Sequence, residues 1–293
     1  MLASLLASKE YDLALNMLEV GAVPDGRSEP FYDLLDVFPS ARLAGVDLDP
    51  EKCGELARTA RQGAYYYAYA LGRTQETRRL HETSDPLCSS LYEPDTRFSD
   101  VFNNLDGHRV LRVREVRTVS LDAFAEREKL DPFDFIKMDI QGAELDVLRG
   151  AEAALHSVVA VVSEVCFAPM YKEQPLFGNV DSYLRDRGFM LHTFLGFGGR
   201  VTKPIVAHGT PNYPVQMLWS DALFTRDLFE LDRLTPDQLL KLAVLLDVYD
   251  SKDVALRLVR FHDDRFGTAL GDSYMALMTV TGEWTQATQQ TKG

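Results

Sequence analysis

The sequence is poor in cysteine. Its 293 residues include three cysteines, Cys53, Cys88 and Cys166, which is an odd number without the close pairs that bind zinc. This pattern argues against a disulfide framework and against a structural zinc site. Unpaired cysteines are typical of proteins in a reducing compartment, so we expect a cytoplasmic protein.

Basic charge is also scarce. The chain carries 31 lysines and arginines against 44 acidic residues, and its formal net charge is −13. Proteins that bind nucleic acid need a basic surface that displaces counterions from the phosphates. We therefore predict no nucleic-acid partner.

Long apolar runs and one glycine motif are missing as well. No stretch reaches the roughly 18 consecutive apolar residues that a membrane-spanning helix needs. The short apolar run at the N-terminus is followed at once by Lys9, Glu10 and Asp12, which favours a helix over a signal peptide. We predict no transmembrane segment. The absence of the GxGxxG motif counts against a nicotinamide-dependent dehydrogenase.

What the sequence does contain is an alternation of strand-like and helix-like segments from residue 16 onward. Such alternation predicts a doubly wound, mainly parallel β-sheet with helices on both faces. Two strand patterns, 189–197 and 215–226, are placed to pair as an antiparallel edge of that sheet. Residues 72–112 are less regular, and we expect an inserted or capping loop region there.

The pattern changes after residue 227. Two amphipathic helices follow, the first opened by a capping box of Thr235 and Gln238, and then a polar tail that we expect to fray. The apolar faces of these helices either pack on the sheet domain, which we favour, or form a homodimer interface. The predicted regions are an N-terminal helical segment at 1–15, a sheet domain at 16–227 and a C-terminal helical region at 228–293.

Acidic residues stand where predicted strands end. Asp47 ends the second strand, and Asp49 follows just before a helix that starts at Pro50. An acid at this place in an α/β sheet can accept hydrogen bonds from both hydroxyls of a ribose; Asp47 suits that role and Asp49 suits the helix cap. Asp139 and Glu164 end two later strands and would face the ligand crevice, although each could also be a turn or capping residue.

Short stretches of the chain occur in a characteristic order between about residues 19 and 227. They are EVGA, AGVDLDP, YALG, CSSLYEPD, VRTVSLDAF, DFIKMDIQGAELDVLRGA, QPLFGNVDSYLRDRGF and SDALFTRD. Together they resemble the FkbM family of S-adenosylmethionine-dependent methyltransferases. The resemblance implies a Rossmann-like class I methyltransferase fold and methyl transfer to a hydroxyl of a small molecule or sugar, such as a glycan or natural product.

The resemblance also implies a set of cofactor-binding residues, ordered here from the methionine part through the ribose and adenine to the methyl group. They are Glu19, Gly21, Ala22, Asp47, Ala70, Leu71, Ser90, Asp139 and Gln141. The turn GAVPDG at residues 21–26 departs from the family pattern at Val23 and Pro24. A non-catalytic partner-binding protein that retains the fold is therefore the alternative.

Methyl transfer to an alcohol requires a base or a metal ion that activates the hydroxyl. Asp139 and Glu164 are the candidate catalytic bases, with His192 as a third. Two carboxylates at neighbouring strand ends equally suit one magnesium ion. The sequence leaves base and metal as alternatives.

Two long loops after strands, 166–178 and 196–214, are placed to shape the acceptor pocket. Lys172, Arg200 and Lys203 lie in these loops and could bind a phosphate or carboxylate on the acceptor, although solvated surface positions are the commoner role of such residues. Aromatic residues that could face the cofactor or acceptor, with packing as their commoner role, are Tyr92, Phe167 and Tyr171.

Overall fold

The structure is a computed structural model that describes residues 1–22, 29–280 and 284. It divides into two compact units. The sheet unit consists of Asn16–Arg27 and Arg42–Phe229, and the helical unit consists of Met1–Leu15, Ser28–Ala41 and Glu230–Gly293. We retain the predicted domains, with boundaries at residues 15 and 227, as a proposal.

The strands are β1 (Asn16–Val20), β2 (Arg42–Asp47), β3 (Ala64–Ala68), β4 (Ala70–Gly72), β5 (Thr77–Thr83), β6 (Val110–Ser120), β7 (Phe135–Met138), β8 (Ala160–Cys166), β9 (Phe189–Phe194), β10 (Gly198–Arg200) and β11 (Gln216–Arg226). The α-helices are α1 (Leu2–Ser8), α2 (Leu34–Val37), α3 (Pro50–Arg58), α4 (Thr96–Val101), α5 (Leu121–Glu128), α6 (Glu144–Arg149), α7 (Phe177–Arg185), α8 (Pro236–Val248), α9 (Lys252–Phe266) and α10 (Gly271–Thr279).

The main sheet has the strand order β3-β2-β1-β7-β8-β11, and β9 and β10 both pair with β11. The five strands β3, β2, β1, β7 and β8 are parallel to one another, whereas β11 runs antiparallel to β8. This arrangement confirms the predicted Rossmann-like, mainly parallel sheet with an antiparallel edge.

The composition of the central strands explains their position. Every residue of β8, with the sequence AVVSEVC, is buried, as expected for a parallel strand that is covered on both faces. On one face, Val161 and Val165 of β8 belong to a core that also includes Leu148 of α6 and Leu184 of α7. The opposite face of β8 carries Glu164, a polar position inside an apolar strand.

Residues 72–112 contain strands, so the predicted loop region is wrong. β4, β6 and β5 form a second sheet, in which β5 and β6 are antiparallel. The strand pattern is hard to recognise because charged residues fill both strands. Glu82 of β5, for example, accepts hydrogen bonds from Arg112 and Arg114 of β6, each at 2.6 Å.

The helical unit contains the predicted capping box. The Thr235 hydroxyl accepts the Gln238 N–H at 3.2 Å, and the Gln238 side chain accepts the Thr235 N–H at 3.1 Å. The apolar face of α8, which the sequence offered either for packing or for a dimer interface, is buried within the single chain; its residues include Leu239, Leu242, Ala243, Leu245 and Leu246. Homodimerisation stays a prediction. Among the described residues, no helix is long and apolar enough to cross a membrane.

Candidate functional site

At the carboxyl edge of the parallel strands, four of these strands and the antiparallel β11 place one residue each at the same level of the sheet and so form a row. In strand order these residues are Asp47, Gly21, Asp139, Glu164 and Asp221. Residues at the same level of neighbouring strands project from the same face. The two predicted strand-end acids, Asp139 and Glu164, are therefore neighbours, and Asp221, which the sequence analysis missed, lies directly opposite Glu164.

Gly21 closes this edge at the end of β1. Its φ is +87°, and a Cβ atom at this position would lie 2.0 Å from the carbonyl oxygen of Asp139. Only glycine fits such a backbone and such a contact. Two residues earlier, Glu19 is buried, and Ala22 is buried directly after the glycine. The turn residues that depart from the family pattern, Val23 to Gly26, lie outside the described residues.

Of the two neighbouring acids Asp47 and Asp49, Asp49 caps the following helix, as predicted. The Asp49 side chain accepts the Glu51 N–H at 2.9 Å and caps α3. Asp47 accepts the Asp49 N–H at 2.7 Å with Oδ1, and its Oδ2 has no hydrogen-bond partner among the described residues. Burial raises the pKa of Asp47, while the Asp49 amide and the charge of Lys52 oppose that shift.

Gln141 connects the two strand-end acids. It lies in the turn between β7 and α6, with a left-handed backbone at φ +58° that few residues other than glycine adopt. Its Nε2 donates to Asp139 Oδ1 at 2.9 Å and to Glu164 Oε2 at 3.2 Å. The Ser90 hydroxyl donates to the Gln141 carbonyl oxygen at 2.6 Å and holds the turn in place. Four predicted residues, Asp139, Gln141, Glu164 and Ser90, thus become one hydrogen-bonded group.

Tyr171 completes this group from loop 166–178. Its side chain is fully buried, and its hydroxyl lies 2.9 Å from Gln141 Oε1 and 3.0 Å from the Cys88 carbonyl oxygen. A donor at Oε1 fixes the orientation of the Gln141 amide, so that its NH₂ group faces the two carboxylates and can donate one hydrogen to each. Tyr171 was named in the sequence only as an aromatic near the site, because nothing in its neighbours indicates this long-range contact.

Burial and crowding control the charge of the acids. Burial raises the pKa of Glu164 well above its ordinary value, and the nearby charges of Asp139, Glu144 and Asp221 raise it further. Lys137 opposes this shift; its Nζ lies 3.9 Å from Asp139 Oδ2. The site thus holds more buried acids than cations, which is a feature of functional sites.

Glu144 is a further acid at the junction between β7 and α6, and it is not among the predicted site residues. It starts α6, and its Oε1 accepts the N–H groups of Ile140 at 2.9 Å and of Gly142 at 3.1 Å. Burial raises the pKa of Glu144 to about 7, with Asp139 adding to the shift and the two amides opposing it. The recognisable signal was its place three residues after Gln141, at the start of a helix.

The two remaining predicted cofactor residues, Ala70 and Leu71, belong to β4. Ala70 lines a cavity of about 470 Å³ beside β3 and β6, together with Leu48, the residue after Asp47. Leu71 points into the apolar core instead. The position of Ala70 is compatible with its predicted place near the adenine.

His192 does not lie beside Asp139 and Glu164. It lies at a bulge in β9, two strands from β8 and level with Val161 and Val162 rather than with Glu164. Its catalytic role stays a prediction. No group of three or more His, Cys, Asp and Glu side chains within the described part of the chain is placed to hold a metal ion.

Comparison with known proteins gives one family. Over residues 19–191, the sequence matches the family described as Methyltransferase FkbM domain. None of the curated proteins matches the sequence.

Several solved structures are similar at low identity. Precorrin-6y C5,15-methyltransferase from Geobacter metallireducens GS-15 is 9% identical with a TM-score of 0.36, over 77% of this chain and 87% of that chain. A SAM-dependent methyltransferase from Aquifex aeolicus is 10% identical with a TM-score of 0.31, over 76% and 92%. A putative methyltransferase from Thermoplasma acidophilum is 9% identical with a TM-score of 0.34, over 74% and 70%.

Proposed function

The chain belongs to the FkbM methyltransferase family, and we propose that it is an S-adenosylmethionine-dependent O-methyltransferase acting on a hydroxyl of a small molecule or sugar, such as a glycan or natural product. The observation that carries the proposal is the Gln141 amide, which joins Asp139 to Glu164 at the carboxyl edge of the sheet. A carboxylate fixed at this edge is a suitable base for a hydroxyl proton.

The residues present suit the cofactor. When bound, S-adenosylmethionine supplies an electrophilic methyl group. We assign Asp47 to the ribose hydroxyls, because its Oδ2 has no hydrogen-bond partner among the described residues. Glu19, Gly21 and Ala22 remain our proposal for the methionine side, and Ala70 for the adenine side. Ser90 and Leu71 act indirectly in this proposal, since one holds the Gln141 turn and the other packs in the core.

Of the two carboxylates among the three candidate bases, we assign proton acceptance to Asp139. Its side chain is 39% exposed, so an acceptor hydroxyl can reach it, whereas Glu164 is 8% exposed. The Lys137 ammonium and the Gln141 amide stabilise the negative charge of Asp139. Glu164, whose pKa is raised by burial, holds a proton next to Asp139 and positions Gln141. Most of the rate enhancement then comes from orienting the acceptor in line with the methyl group.

The magnesium alternative has no residue set to support it among the described residues, so no step of the proposed mechanism uses a metal ion. Activity that is unchanged by a chelator would agree with the base mechanism. Activity that is lost with the chelator and restored by Mg²⁺ would move Asp139 and Glu164 to the role of metal ligands.

Titration calorimetry with S-adenosylmethionine tests the cofactor assignment. We expect micromolar binding to the wild type, no measurable binding to Asp47→Ala, and wild-type binding to the control Asp49→Ala, which removes only the helix cap at a cost of about 1 kcal/mol of folding free energy. Absence of binding to the wild type would contradict the proposal and favour the non-catalytic partner-binding alternative.

Identification of the reaction product tests whether the methyl group is transferred to oxygen. A panel of hydroxylated acceptors would be incubated with the enzyme and S-adenosylmethionine, and products would be examined by mass spectrometry and by NMR for a new O-methyl ether. A methyl group found only on nitrogen, sulfur or carbon would overturn the O-methyl assignment.

We also propose a cytoplasmic location without a nucleic-acid partner. Cys53, Cys88 and Cys166 are all free thiols in the structure, which suits a reducing compartment. The net charge of −13 disfavours binding to phosphate backbones. Fractionation of the cells that produce the protein would test the location.

A further inference from the structure

Three basic residues in the two acceptor loops differ in how they are paired. Lys172 forms an ion pair with Glu93 at 2.6 Å. Lys203 donates to the Ser99 carbonyl oxygen at 2.5 Å and lies 3.9 Å from Asp106. Arg200 has no ion-pair partner within the described residues, although the protein is strongly acidic overall. It is therefore the cation of these loops whose charge is left for a ligand.

The surroundings of Arg200 fix its guanidinium. The group lies 4.8 Å from the ring centroid of Trp219, and a Cβ atom at Gly198 would lie 2.0 Å from the same indole, so a glycine allows this stacking. Nη1 donates to the Gly199 carbonyl oxygen at 2.8 Å. Nε is buried and has no hydrogen-bond partner among the described residues. A buried donor of a charged group is costly when it is unpaired.

His108 offers a second unpaired atom in the same region. Its Nδ1 lies 3.3 Å from the Leu105 carbonyl oxygen, and its Nε2 is buried without a partner in the described part of the chain. Burial lowers the pKa of His108 and the charge of Arg200 lowers it further, whereas the hydrogen bond to the Leu105 carbonyl and the charge of Asp85 oppose the shift. A neutral imidazole that donates from Nδ1 has an acceptor at Nε2, which suits a ligand hydroxyl.

This region is connected to the strand-end acids. The His108 ring lies 5.6 Å from the ring of Tyr171, the residue that contacts Gln141. Arg200 belongs to β10, whereas Asp47 belongs to β2, and the acids on β7 and β8 lie between these strands in the sheet order. A ligand at Arg200 is therefore on the opposite side of the proposed base from the ribose position.

We propose that Arg200 binds a carboxylate or phosphate group of the methyl acceptor, and that His108 Nε2 accepts a hydrogen bond from a hydroxyl of the same molecule. The acceptor is then an acidic, hydroxylated compound such as a sugar acid or a sugar phosphate. Arginine suits this role because its planar fork binds oxyanions through two parallel hydrogen bonds. The choice of acceptor as the ligand rests on the proposed function.

The test uses three probes with similar rings: glucuronate, glucose 6-phosphate and neutral glucose. Each would be titrated into ¹⁵N-labelled full-length protein, with the arginine Nε–Hε signals recorded by NMR and the Arg200 signal assigned by its loss in Arg200→Lys. We expect a saturable shift of the Arg200 signal with one or both acidic probes and none with glucose. The pair of acidic probes distinguishes a carboxylate from a phosphate ligand.

Variants measure the contribution of the side chain. Arg200→Gln is expected to weaken binding of the acidic probe about tenfold or more, and Arg200→Lys to weaken it less, because lysine keeps the charge without the fork. The control Lys172→Gln removes an exposed lysine and is expected to leave binding unchanged. Unchanged binding in Arg200→Gln, or shifts that are non-saturable or equal for all arginines, would overturn the inference.

Calorimetry with S-adenosylmethionine on the same samples separates this inference from the proposed function. Cofactor binding without any Arg200 response would overturn the anion site and leave the methyltransferase assignment intact. An Arg200 response without cofactor binding would establish the anion site while contradicting the proposed function. Loss of S-adenosylmethionine binding in Arg200→Gln would show that the cofactor carboxylate is the ligand and would also overturn the inference.

Discussion

Buried acidic side chains have different surroundings in the two units. In the helical unit, Asp247 accepts the Tyr274 hydroxyl at 2.6 Å and the Leu2 N–H at 2.7 Å, and the Met1 amino group lies 2.9 Å away. In the sheet unit, the acids of the strand-end row crowd one another, with Lys137 as the cation near Asp139. A buried acid with a full set of donors stabilises a fold, whereas acids in excess of their cations hold protons near neutral pH, as catalytic groups do.

The largest effect expected from this difference is on catalysis. Asp139→Asn keeps the shape of the side chain and removes the proposed base, so we expect kcat to fall by about 10²- to 10⁴-fold. Glu164→Gln, which removes an acid without a base role, is expected to have a smaller effect on kcat. Methyl-transfer rates at saturating cofactor provide the measurement.

The same two variants should not destabilise the protein. Asp139→Asn removes a negative charge from a crowded group, and Glu164→Gln replaces a buried, protonated acid with a neutral amide of the same shape. Thermal unfolding of both variants checks this point. A drop in stability together with an unchanged kcat would show that the row of acids is structural, and the contrast with Asp247 would no longer hold.

The second effect concerns the helical unit. Asp247→Asn leaves the donors of Tyr274 and Leu2 facing an amide, so we expect a loss on the order of 3 kcal/mol in the free energy of unfolding. Tyr274→Phe removes one of those hydrogen bonds and should cost about 1 kcal/mol. Urea denaturation gives both values, and kcat of the folded fraction should stay at the wild-type level. An Asp247→Asn protein as stable as the wild type would show that this buried acid is not structural.

The third effect is a dependence of stability on pH. The folded pKa of Glu144 is about 7, above the value of about 4.3 for an unperturbed glutamate. Between these values the unfolded state loses the proton while the folded state keeps it, so stability falls as the pH rises from about 4.3 to 7. We expect a decrease of about 1–3 kcal/mol for the wild type over this window.

Glu144→Gln is the matched control for this dependence. Its Oε1 can still accept the Ile140 and Gly142 N–H groups, but it carries no titratable proton. The variant should be at least as stable as the wild type at pH 7 and should lose part of the pH slope. A slope identical to that of the wild type would assign the dependence to other groups, Glu164 first among them.

Much of the sheet and part of the site follow from the sequence. Apolar segments of strand length alternate with helical ones, and Asp47, Asp139 and Glu164 end strands, so parallel order brings them to one edge. The second sheet was missed because β5 and β6 are charged on both faces. Asp221 was missed because its alignment with Glu164 depends on the register of an antiparallel edge strand.

Contacts between distant loops could not be predicted either. Gln141 reaches Glu164 because its backbone is left-handed and Ser90 holds its carbonyl oxygen. Neither property is visible in the motif itself. His192, by contrast, was predicted near the acids and lies away from them. The bulge in β9 sets its level in the sheet, and the sequence contains no sign of that bulge.

The smallest effect expected is that of Tyr171→Phe. The variant keeps the buried ring and removes the hydroxyl that lies 2.9 Å from Gln141 Oε1. Without this donor, the amide can turn its oxygen toward Asp139 and Glu164, which would disfavour the negative charge of the proposed base Asp139. We therefore expect kcat to fall about five- to tenfold, a cost of roughly 1 kcal/mol, and the acidic limb of the pH–rate profile to move to higher pH.

Tyr183→Phe is the matched control, because the Tyr183 hydroxyl also bonds to the protein, at 2.7 Å from Glu152 Oε1, but contacts neither Gln141 nor the acids. A purely structural role of Tyr171 would lower the melting temperature without moving the pH–rate profile. A shifted profile in Tyr171→Phe and an unshifted one in Tyr183→Phe would show that an uncharged side chain outside the row of acids sets their charge.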